Sequence, residues 1–96
     1  MGFVKTDIII LLSQLYGERL ISRSQAQRVA RNLDKFSHVT LDFSKVEAVG
    51  QGFVDQLFRV YKNHNPNIII DYINANEDVR FMLERGVATA KLSATK

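Results

Sequence analysis

Apolar positions fall into two alternating patterns along this chain. Short β-branched runs stand at residues 8–10, 39–43 and 68–73, and β-branching favours strands. Between and after these runs, apolar residues return at helical spacing. Ala26, Val29, Ala30 and Leu33 stand at i, i+3, i+4 and i+7, which makes one buried stripe. Ahead of them, Ser22-Arg23-Ser24-Gln25 has the form of a capping box, with Ser22 as N-cap. Phe53, Val54, Leu57, Phe58, Val60 and Tyr61 cover one broad side of a helix over 51–62. Asp55, Gln56, Arg59, Lys62 and Asn63 cover the other side, and Asp55 and Arg59 have the spacing of an ion pair. Val79, Met82 and Leu83 face inward on a last helix opened by Asn74 or Asn76, with Gly86 as its stop.

Residues 7–15 read as a strand because of their isoleucines. A helix capped by Thr6 is the alternative that so short an apolar run leaves open. Gly17 marks a turn, and residues 19–21 make a second short strand. Residues 44–49 connect the strand at 39–43 to the helix at 51–62. Pro66 breaks the loop 63–67, and residues 68–73 are apolar enough for a central strand. Residues 1–6 look like a loose start, and 87–96 fade into a frayed end. The order is strand, strand, helix, strand, helix, strand, helix. Crossovers of this length call for parallel neighbours and right-handed connections. The expected fold class is α/β: a mixed, mostly parallel sheet of about four strands packed with about three helices.

Composition narrows the picture only a little. Ninety-six residues suit a single domain over 1–96. The absence of cysteine excludes disulfides and thiolate metal sites, which fits a reducing, cytoplasmic compartment. A net charge of +3 permits an acidic partner but is too weak to imply nucleic acid. The longest apolar run, residues 8–12, falls far short of the roughly 20 residues that span a bilayer, so no membrane association is expected. Residues 1–6 formally fit a myristoylation pattern, which is short and occurs by chance.

Candidate chemistry is sparse. His38 and His64, the only histidines, lie in boundary loops with no nucleophile motif near them in sequence, and no metal-ligand spacing is present. Asp42 and Asp71 sit on parallel strands and could face a shared site, or each could simply border its strand. Gly50-Gln51-Gly52 is the strongest binding candidate, because it follows a strand and opens a helix. Its amides could meet a ligand at the carboxyl edge of the sheet, or its glycines could only permit a tight turn and close packing. Arg28, Arg31 and Lys35 form a basic stripe that could contact phosphate or be a solvated face. Phe81 stands opposite the inward residues of its helix, either as an exposed contact or on a helix buried on both sides. No catalytic residue, cofactor or metal is expected, and the chain does not read as an enzyme.

Several motifs in order then resemble a known family. Tyr16-Gly17-Glu18-Arg19-Leu20 before a helix, followed by Val39-Thr40-Leu41-Asp42-Phe43-Ser44-Lys45-Val46, resembles the STAS domain of sulfate transporters and anti-sigma factor antagonists. Ser22-Arg23-Ser24-Gln25-Ala26, Leu41-Asp42-Phe43, residues 50–60 and Ile73-Asn74-Ala75-Asn76 look more closely like the bacterial STAS-like domain family of unknown function. The resemblance covers about residues 16–85 and implies a small α/β sandwich. In the anti-sigma antagonists an Asp-Ser-Ser-Gly motif opens the second helix, and an ATP-dependent kinase phosphorylates its second serine. Here Gly50, Gln51 and Gly52 take the first three places of that motif, and no hydroxyl remains at the switch. The resemblance therefore implies a non-catalytic regulatory module. Its partner, such as a histidine-kinase-like ATPase, would meet Gly50, Gln51, Gly52, Asp55, Gln56 and Arg59 without that form of control. The alternative is a small-ligand or nucleotide site at the same helix start. Exposed Phe81 or Val54 could also support a homodimer.

Overall fold

A computed structural model describes residues 7–94, with side chains through Gly86. The expected loose start at 1–6, the myristoylation pattern and the last residues 95–96 lie outside the described residues. In chain order the elements are β1 (Asp7–Leu11), α1 (Leu12–Tyr16), β2 (Arg19–Leu20), α2 (Arg23–Ala30), β3 (His38–Asp42) and β4 (Ala48–Val49). There follow α3 (Gln51–Asp55), a π-helical segment (Gln56–Tyr61) and a last turn, α4 (Lys62–His64), which run on as one central helix. β5 (Ile69–Ile73) and α5 (Glu77–Ala94) complete the described chain.

The strands β1, β3 and β5 form a three-stranded parallel sheet in that order, and β2 pairs with β4, also in parallel. The register aligns Ile9, Thr40 and Asp71 in one row and Ile10, Leu41 and Tyr72 in the next. The strand order advances in one direction, so right-handed crossovers put the connecting helices on one face. Burial follows that topology. Ile10, Val39 and Leu41 share a core with Ala26, Val29 and Leu33 from the α2 side, Phe53, Val54, Leu57 and Phe58 from the central helix, and Val79 and Leu83 from α5. The opposite face exposes Ile9, Leu11, Ile69 and Ile73.

The start of α2 is the capping box that the sequence predicts. Ser22 Oγ accepts from Gln25 N, and Gln25 Oε1 accepts from Ser22 N at 2.9 Å. The helix proper ends at Ala30, and the chain then tightens through bonds from Asn32 N to Val29 O and from Leu33 N to Ala30 O. These i to i−3 bonds keep Leu33 in the buried stripe.

Other expectations need correction. The isoleucine run does form a strand, but it stops at Leu11, and Leu12 turns fully into the core as α1 begins. The run at 68–73 is not a central strand. β5 pairs with β3 alone, and its outward isoleucines lie on the open face, so its apolar character does not report burial on two sides. The connection 44–49 contains β4, whose two residues are too few to show a period. Asn63 and His64, expected in a loop, belong to the last turn of the central helix. His38 opens β3 and is not a loop residue. Gly86 does not stop α5, which continues to Ala94. A Cβ at Gly86 would overlap the Val54 side chain, so this glycine lets α5 and the central helix approach closely.

Candidate functional site

The site begins where β2 and β4 pair. Gly50 N donates to Leu20 O at 2.9 Å, which lays the start of the central helix along Ile21. A Cβ on Gly50 would stand 2.6 Å from Ile21 O, and the residue has an ordinary extended backbone. Space, not conformation, requires glycine at this position. Gly52 differs, since a Cβ there would meet Arg23 N at 3.6 Å and Ile21 O at 3.7 Å, both ordinary contacts. Gln51 between them is exposed.

One turn further along, Asp55 joins two helices. Its Oδ1 accepts from Arg59 Nε at 2.5 Å, and its Oδ2 accepts from Arg59 Nη2 at 2.9 Å and from Arg23 Nη1 at 3.3 Å. Arg23 Nη1 also donates to Gln56 Oε1 at 3.3 Å. Hydrogen bonding from Arg59 holds the Asp55 carboxyl below its ordinary range, opposed by burial and helped by Arg23, and Asp55 in turn raises Arg59. Partly exposed pairs of this kind contribute little to stability. The arrangement orients polar groups more than it stabilises the fold. The sequence spacing predicted the Asp55–Arg59 pair. Arg23 lies 32 residues from Asp55 and gave no sequence signal of its role.

Beside this network, Gln51, Val54, Asp55, Met82, Arg85 and Gly86 line a groove between the central helix and α5, with a volume of about 70 Å³. Ligand pockets usually hold roughly 300–1,000 Å³, so the groove suits a protruding side chain better than a nucleotide. Phe81 is 59% exposed, and the Arg85 guanidinium stands 5.7 Å from its ring centroid. The exposed alternative for Phe81 therefore holds. Val54 is 1% exposed and cannot serve as a dimer contact.

The other candidates separate. Asp42 and Asp71 share a sheet face but not a partner. Asp42 is buried, and its Oδ1 accepts from Ser44 Oγ at 2.6 Å, Ser44 N at 2.9 Å and Asn74 Nδ2 at 3.1 Å. The Ser44 bonds, chiefly, hold its carboxyl below the ordinary range against the effect of burial. Asp42 thus ties the end of β3 to the end of β5. Asp71 instead meets His38 Nε2 at 2.8 Å, with Asp7 3.9 Å from the other ring nitrogen. An open basin at the carboxyl ends of β3 and β5 is lined in part by Asn74 and Asn76. Asn74 is bonded to Asp42, and Asn76 caps α5 through Val79 N and donates to Val46 O. The basic positions Arg28, Arg31 and Lys35 are exposed. Among the described residues no group of three or more His, Cys, Asp or Glu could hold a metal ion, and no helix is long and apolar enough to cross a membrane.

Residues 25–80, which carry most of α2, two of the three sheet strands and the glycine-opened central helix, match the model of the STAS-like domain of unknown function. The chain belongs to that family. No curated protein and no solved structure matches it. The matched segment of this STAS-like domain takes in Gln25 of the capping box, β3, β4, the central helix, β5 and the first turn of α5.

Proposed function

We propose that this STAS-like domain is a non-catalytic regulatory module that binds a protein partner through the start of its central helix. The observation that carries the reading is the fixed polar array of Asp55, Arg59, Arg23 and Gln56 beside a groove too small for a nucleotide. Gln51 and Gly52 border the array, and Gly50 serves to seat the helix against Ile21. The resemblance to anti-sigma factor antagonists makes a histidine-kinase-like ATPase the first partner to try. With glycine at position 52 the surface carries no phosphorylatable hydroxyl there, so binding would be constitutive at this point. The chain itself would supply recognition, with any chemistry left to the partner.

Affinity capture from a bacterial lysate tests the reading, with Asp55→Ala and Arg59→Ala as controls. The expected result is a regulator retained by the parent and depleted from both variants. The assignment fails if no protein is retained, or if both variants retain the same protein as well as the parent does.

A further inference from the structure

The second face of the sheet carries an inference of its own. We propose that the open face of β1, β3 and β5 docks an amphipathic α-helix from another protein, one with an apolar stripe bordered by lysine or arginine. Parallel sheets are normally covered on both faces, yet here the helices lie on one face, because the strand order never reverses. Ile9 is 62% exposed and Ile69 is 56% exposed, and Leu11 and Ile73 are exposed with them. On β5, Asp71 stands between Ile69 and Ile73, and the middle strand presents His38, Thr40 and Asp42 to the same face, with the small Thr40 between Ile9 and Asp71.

The dimensions suit one helix. Three strands span about 10 Å between the outer two, and five residues run about 16 Å. An α-helix with its side chains is roughly 10–12 Å wide and covers 16 Å in about 11 residues. Charge then selects the kind of helix. Asp7 and Asp71 are largely exposed on this face and border His38, and no lysine or arginine occupies a strand position that points the same way. Asp7, Ile9, His38 and Thr40 line a hollow at the β1 side, open to an incoming cationic side chain. A second copy of the chain would bring the same carboxylates and no lysine or arginine from its own sheet face. A basic amphipathic helix answers both the exposed isoleucines and leucine and the carboxylates set among them.

The test uses two synthetic helical peptides of about 14 residues with the same leucine stripe, one flanked by lysines and one by glutamates. Each is titrated by fluorescence anisotropy against the parent, Ile69→Lys and Asp71→Asn. Circular dichroism checks that both variants remain folded. The expected result is that the lysine peptide binds the parent at least about 10-fold tighter than the glutamate peptide. Ile69→Lys should lose about 10-fold for the lysine peptide, and Asp71→Asn about 3-fold. The proposal is overturned if the lysine peptide does not bind, if both peptides bind equally, or if Ile69→Lys binds as the parent does. It is also overturned if sedimentation gives a dimer of the parent that Ile69→Lys dissociates, for then a second copy covers the face.

Discussion

The two faces of one small sheet differ more than any two elements of this molecule. Leu41 and Ile10 point into a core walled by α2, the central helix and α5, while Ile9 and Ile69 point away from it. All four belong to apolar runs of similar composition. Topology makes the difference. A strand order that only advances leaves every crossover on the same side. The covered face therefore governs stability, and no other described element packs over the open face.

That contrast can be broken by substitution. The largest effect is expected from Leu41→Ala, which leaves a cavity under the helices and should cost about 3 kcal/mol in urea unfolding. Ile9→Ala, on the neighbouring strand but facing out, should cost at most about 0.5 kcal/mol. Equal losses would mean that the open face is covered in solution.

Asp42 sharpens the contrast, because it is the buried charge on the open side of the sheet. Asp42→Ala should cost about 2 kcal/mol at neutral pH by removing bonds from Ser44 and Asn74. Its carboxyl is held below the ordinary value in the folded state. Its stabilisation is therefore complete above the unfolded-state value and is lost as pH falls through the lowered native one. The gap between parent and Asp42→Ala should close as pH drops below about 4. A gap that stays constant through that range would contradict the role given to Asp42.

A smaller contrast than the first two compares two glycines on the covered side. Gly86→Ala must displace Val54 and should cost about 1–2 kcal/mol in thermal unfolding. Gly52→Ala meets only ordinary contacts and should be neutral or gain about 0.5 kcal/mol. The reverse order would mean that α5 does not pack against the central helix as described.

Local signals were legible in the sequence, and relations between distant segments were not. The capping box at Ser22, the stripe through Val29 and Leu33 and the ion-pair spacing of Asp55 and Arg59 each depend on neighbours within a turn or two. All three appear in the structure. β4 leaves no sequence signal because two residues carry no period, and its pairing with β2 reaches back across α2 and β3. The run at 68–73 misled because an apolar edge strand with one open face reads like a central one. Gly86 reads as a helix stop by type, yet its reason is contact with Val54, 32 positions away. The π-helical turn at Gln56–Tyr61 was hidden too, since its apolar positions fit an α-helical wheel. In the candidate site, the sequence reached Gln51, Asp55, Gln56 and Arg59. It missed Arg23 and the α5 residues Met82 and Arg85, which join the others only through tertiary packing.

The most direct measurement is a titration of the purified captured regulator against the parent chain, Asp55→Ala and Arg59→Ala, with folding of each checked by circular dichroism. Binding at the start of the central helix predicts that both variants weaken the complex by about 10-fold or more while remaining folded. Parent-like affinity in both variants would contradict it.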